Sequence, residues 1–182
     1  MIKDKSVPTK GIFLTSFVAA LLIVNTLVWS GNVSILVLAQ KQQQVTYTAT
    51  LTGKNENPPV NAQATGMAKF TPNSNDTLSY EVNTNNIDGV IGAHIIESNG
   101  SLLAQVFDPY AIHNGKSGIP TGKVNGVLST GTITSDDLDG PLAGKKITDL
   151  VSLMKQGKAF VEIRTLDHEK GEIKGQVKSP TK

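Results

Sequence analysis

The sequence predicts an all-β protein, an antiparallel β-sandwich of about eight strands with one short helix, preceded by an N-terminal hydrophobic signal or anchor helix. Three observations carry that expectation. From Val45 onward, short segments alternate apolar and polar residues with a period of two, the pattern of half-buried strands. Clusters of Gly, Pro, Asn and Asp separate those segments and supply the turns. Ahead of them, the stretch from Gly11 to Ala39 contains no charged residue and no amphipathic stripe, which sets it apart from a globular helix.

The leader is read first. "MIKDKSVPTK" is a short basic lead, and "GIFLTSFVAALLIVNTLVW" follows without a charge. A helix of that length reaches roughly 28 Å at 1.5 Å per residue, close to the hydrocarbon thickness. Lysines before the apolar run stay on the cytoplasmic side, which sends the rest of the chain out. "VLA" before Gln40 places Val37 and Ala39 where a signal peptidase reads small residues. Cleavage after Ala39 and retention as an anchor both fit, and either way the expected location is extracellular or at the cell surface. Membrane contact is then confined to residues 11–39, if these are retained. The predicted organisation is a signal or anchor over 1–39, a polar linker "QKQQQ" over 40–44, one domain over 45–178 and a tail over 179–182.

Within the domain, "VTYTATL" puts Val45, Tyr47, Ala49 and Leu51 on one face. "GMAKF" and "TLSYEV", joined by "TPNSND", form a predicted hairpin with Leu78, Tyr80 and Val82 on a shared face. "VIGAHIIE" and "SLLAQVF" are apolar on both faces, with Asn99 and Gly100 at the reversal between them. "GVLSTGTIT", "AFVEIRT" and "EIKGQV" complete the strands. In "ITDLVSLMKQG", Leu150, Leu153 and Met154 fall at helical spacing, Thr148 or Asp149 can cap the start, and Gly157 suits the stop.

The last hairpin can be taken to a register. Val161 and Ile163 share a face with Ile173 and Val177, which sets Ile163 opposite Ile173. Glu162 then faces Lys174 and Arg164 faces Glu172, two opposite-sign pairs on a solvated face. A slip of two residues either way creates a like-charge clash. His168 falls at the tip of the loop "LDHEK".

Composition limits the function. Lys3, Lys5 and Lys10 against Asp4 account for the formal charge of +2, so the domain itself is neutral. After the leader no basic cluster exceeds Lys145 and Lys146, which argues against nucleic acid. The absence of cysteine removes disulfides and thiolate metal sites. There is no nucleophile elbow, phosphate-binding glycine loop or His-Glu-x-x-His. "DDLD", residues 136 to 139, lacks the spacing of a calcium loop and reads as a solvated turn. Asn75 and Asn99 head Asn-x-Ser/Thr triplets in predicted turns and are candidate glycosylation sites.

Taken together, "YTATLTGKNENPPVNAQATGMAKF", "DTLSYEVNTNNIDG", "GAHI", "DLDGPLAG", "DLVSLMKQGKAFVEIRT" and "GEIKGQV" resemble a CHRD domain, the module named after chordin. The resemblance runs from about Tyr47 to Val177. It rests most on Glu56, Pro58 and Pro59, on Gly66, His94 and Gly157, and on Gly171, Glu172, Gly175 and Gln176. It implies a β-sandwich module on secreted or surface proteins. Members commonly carry His-x-His where this chain has His94, Ile95 and Ile96, and a histidine where it has Arg164.

That difference bears on His94, the one candidate metal ligand. A Zn²⁺ or Cu²⁺ site generally needs three or four converging protein ligands, and His94, His113 and His168 fall on separate segments. An imidazole hydrogen-bonded at a sheet edge or partly buried is the simpler expectation, and no catalytic residue and no cofactor are assigned. The expected function is a non-enzymatic binding or envelope-associated module, with a surface protein or glycan as partner. It would act through the loops "KNENPPVNAQ" and "PYAIHNGKSGIPTGK", where Tyr110 beside Pro109 could stack on a sugar. The alternative is a metal-dependent oxidoreductase on a sandwich like that of Cu/Zn superoxide dismutase, a chemistry that fold alone does not confer.

Overall fold

The structure, a computed structural model, describes residues 44–110, 118–120 and 122–180. The expected leader over 1–39, residues 40–43 of the linker and His113 lie outside the described residues. Among the described residues there are eight strands: β1 (Tyr47–Thr52), β2 (Thr65–Pro72), β3 (Leu78–Ile87), β4 (Val90–Glu97), β5 (Leu102–Phe107), β6 (Val124–Ile133), β7 (Ala159–Thr165) and β8 (Ile173–Gln176). One helix, α1 (Ile147–Lys155), connects β6 to β7.

Period-two alternation becomes one-sided burial. β1 buries Tyr47, Ala49 and Leu51 and exposes Thr48 and Thr50. Val45, expected on the inner face, precedes the strand and is 48% exposed. The β2–β3 hairpin pairs Pro72 with Leu78 and Phe70 with Tyr80, as its turn residues predict. Glu97 N–H donates to the Ser101 carbonyl across the β4–β5 turn, where Gly100 takes a positive φ of 88°.

The eight strands form one antiparallel sheet in the order β5-β4-β7-β8-β1-β2-β3-β6, where two stacked sheets were expected. Its end strands β5 and β6 approach each other, so the sheet curls nearly into a barrel around one core. The reason lies at β1. It pairs along its length with β2 and also meets the C-terminal segment, at Thr52 with Lys174 and at Thr48 with Lys178. Gly175 permits that approach, since a Cβ there would run into the Thr50 carbonyl oxygen. Rolling the sheet buries Leu51, Phe70, Leu78, Ile95 and Ile163 completely, each such side chain contributing about 1.5–3 kcal/mol by removal from water.

Helix α1 closes the arrangement with Leu150 and Met154 fully buried and Leu153 packed at the margin of the core. Its start differs in detail from expectation. The cap residue is Lys146 and neither Thr148 nor Asp149, but Asp149 serves the cap from the third helical position, its Oδ2 accepting from Lys146 N–H at 3.0 Å. At the far end Gly157 N–H donates to the Met154 carbonyl and Lys158 N–H to the Leu153 carbonyl, the paired bonds of a Schellman motif.

Candidate functional site

The β7–β8 hairpin adopts the expected register, with Ile163 opposite Ile173 and Glu162 opposite Lys174. Its charges behave differently from a solvated face. Glu162 is buried, and it accepts from both Arg164 Nε at 2.8 Å and Lys174 Nζ at 3.4 Å. Arg164 therefore turns along its own strand to Glu162 and does not pair with Glu172. Glu172 lies just before β8, where its Oε2 accepts from the buried Thr165 hydroxyl at 2.7 Å. The cause is burial: an enclosed carboxylate must gather opposite charge, and Glu162 gathers both nearby cations.

His94 sits across from Glu162 on β4. That strand is paired on both sides, with β5 and β7, so the imidazole stands within the sheet and not at its edge. The ring folds over Gly92, where a Cβ would come within 2.7 Å of Cε1. Its Nδ1 is buried without a hydrogen-bond partner. Burial, reinforced by the Arg164 charge and opposed by Glu162 and Asp108, holds the His94 pKa below its ordinary value. No group of three or more His, Cys, Asp or Glu able to hold a metal ion is found among the described residues.

Above this cluster lies Glu56, in the loop that leaves β1 through a short 3-10 turn at Gly53–Asn55. Glu56 N–H and Val60 N–H both donate to the Gly53 carbonyl, which folds the loop back on itself. The side chain is turned inward, 7% exposed, and Oε1 is buried without a partner. Burial, with the Glu162 charge adding to it and Lys174 and Arg164 opposing, pushes its pKa up to about 7. Gly171 makes room for it: a Cβ on that glycine would stand 2.7 Å from Oε1 and 2.8 Å from Oε2. Glu56 was legible in the sequence as part of a motif but not as a buried, unpaired carboxyl. The signal was there in the lone acid before two prolines and the glycine of "GEIKGQV", which share no contact that a one-dimensional reading can see.

Glu56 also lines a groove of about 440 Å³ between this loop and the β7–β8 loop. Pro58, Val60 and Leu166 supply apolar surface, and Asp167, His168, Glu169 and Lys170 supply charge and polarity. A second depression of about 370 Å³ lies along Thr48, Thr50 and Phe160, and its two side-chain amides are already engaged. There Asn55 donates to the Lys174 carbonyl, Gln176 to the Gly157 carbonyl, and Lys174 Nζ stands 5.6 Å from the centre of the Phe160 ring.

The remaining candidates lie apart. Asn75 and Asn99 are exposed in the β2–β3 and β4–β5 turns. Thr77 Oγ1 donates to Asn75 Oδ1, and Ser101 N–H to Asn99 Oδ1. In "DDLD", Asp137 accepts from the N–H and hydroxyl of Thr134, while Leu138 is buried. Tyr110 is 75% exposed.

A family model for the CHRD domain matches residues 47–177. The chain belongs to that family. Comparison with curated proteins and with solved structures found no match for it. The match spans every strand described above, and the two loops that enclose the groove fall inside it.

Proposed function

We propose that the chain is an extracytoplasmic, non-enzymatic module that recognises a surface partner through the groove between the β1–β2 and β7–β8 loops. The observation that carries this reading is the groove itself, which brings Glu56 and Pro58 of one family motif against Gly171 of another. Loops held by a rigid sheet are where recognition concentrates, and concave sites with an apolar wall and a few polar groups suit a ligand. Export is supported by the basic lead and uncharged run at the N-terminus. Proximity labelling on intact cells expressing the full chain tests the proposal. Surface components should be labelled by the native chain and lost when Pro58, Val60 and Leu166 are replaced together by aspartate. Labelling confined to cytosolic proteins, or a surface set unchanged by those replacements, overturns it.

A further inference from the structure

Around Glu56 the charges balance in number but not in bonding. Two cations, Arg164 and Lys174, stand close to two carboxylates, Glu56 and Glu162, yet both cations bond to Glu162. Glu56 has no hydrogen-bond partner at Oε1, although the residue is more than nine-tenths buried. The groove it lines adds Asp167 and Glu169 against Lys170, with His168 between them. Its lining therefore combines three carboxylates, Glu56, Asp167 and Glu169, with apolar surface from Pro58, Val60 and Leu166. Leu166 leaves 58% of its surface open to solvent.

We propose that this groove receives a lysine side chain presented by a protein partner, with the alkyl stem along Pro58, Val60 and Leu166 and the ammonium near Glu56, Asp167 and Glu169. The inference deepens the proposed function and rests on it. A primary amine on a flexible alkyl chain matches the mixture of surfaces, because such a side chain buries its methylenes while its charged end seeks a carboxylate. It also brings to the groove side of Glu56 a cation that is not already committed to Glu162. A planar guanidinium matches less well, since its fork is suited to two accessible carboxylate oxygens and Oε1 of Glu56 is enclosed.

Glu56 must be ionised for the ammonium to gain from it, and its pKa of about 7 puts that ionisation near neutral pH. The groups that face Glu56 are Glu162 and Arg164 of β7 and Lys174 of β8, with Asp167, His168, Glu169 and Lys170 in the adjoining loop. Binding should weaken as Glu56 takes up a proton. Between pH 8 and pH 6 the competent fraction falls roughly tenfold for a pKa near 7, and the apparent affinity falls with it.

The test is a calorimetric titration of the full chain with a blocked peptide carrying one lysine, beside the same peptide carrying norleucine and one carrying arginine. The lysine peptide should bind at pH 8, weaken about tenfold at pH 6, and exceed both other peptides. Glu56→Gln should abolish the preference and the pH dependence together. Equal binding of norleucine, stronger binding of arginine, absent binding of lysine, or pH dependence that survives Glu56→Gln each overturns the inference. The wild-type comparisons stand even if the variant fails to fold. Surface labelling on cells separates the two readings: a labelled set unchanged in Glu56→Gln sinks the lysine assignment alone, and no surface set from the native chain sinks the module itself.

Discussion

The Glu56 carboxyl lies against the α-carbon of Gly171, so close that a methyl group there would stand 2.7 Å from Oε1. Gly171 also holds φ at 133°, a conformation that L-residues rarely adopt. Gly171→Ala therefore costs about 1–3 kcal/mol, chiefly from the backbone, with a smaller share from displacing Glu56. Chemical denaturation should show the loss in full. In a Glu56→Ala background the loss should shrink by the steric share but persist. A Gly171→Ala loss that does not shrink at all in the Glu56→Ala background would mean that the two loops do not meet as described.

Titration of Glu56 and His94 should shape stability in opposite directions. The folded pKa of Glu56 is raised from 4.5 to about 7, so the native state binds more protons than the unfolded chain between those values. Stability thus falls as pH rises from about 4.5 to about 7 and changes little above it, the total being on the order of 3 kcal/mol. The His94 pKa is lowered, so its unfolded form binds more protons and stability falls as pH drops below about 6.5. Melting curves across this range should show Glu56→Gln losing the fall toward neutral pH, and His94→Gln losing the fall toward acid. Unchanged profiles in both variants would contradict the burial assigned to these groups.

What the sequence made legible divides along physical lines. Strand identity and hairpin register depend on neighbours a few residues away, so alternation in "VTYTATL" and the branched residues of "AFVEIRT" and "EIKGQV" were enough to set Ile163 opposite Ile173. The single curled sheet depends on β1 meeting β8, a pairing of distant segments that no local pattern encodes. The Arg164–Glu172 pair failed for a related reason. Register places the two residues side by side, but the burial of Glu162 decides which carboxylate the guanidinium joins. The site followed the same division: motif residues were visible, while the convergence of Glu56 on Gly171 arises only from the folding of two loops.

The Glu162 cluster offers a ranking of substitutions. Removing the central charge takes from both cations their bonded partner, whereas removing either cation leaves Glu162 with the other. Arg164 and Lys174 retain side-chain exposures of 39% and 18%, so water partly solvates them and the cost lies below that of a fully buried pair. Glu162→Gln should lose about 1–3 kcal/mol, and Arg164→Ala or Lys174→Ala each less. Urea denaturation of the three variants checks the order. A larger loss from Arg164→Ala than from Glu162→Gln would place the critical interaction elsewhere, for example in packing by the arginine stem.

Gly157 joins the helix to β7 and to the C-terminal strand at once. Its φ of 68° ends α1, and its carbonyl accepts from Gln176 Nε2 at 2.7 Å. The two roles separate by mutation. Gly157→Ala must hold an L-residue in the left-handed region and bring a Cβ within 2.9 Å of Gln176 Nε2, for a loss of about 1–2 kcal/mol. Gln176→Ala keeps the backbone and forfeits one exposed hydrogen bond, a loss of about 0.5–1 kcal/mol. The double variant should lose less than the sum, because the contact between Cβ and amide vanishes with the glutamine. Strict additivity in denaturation curves would show that Gln176 does not touch this turn.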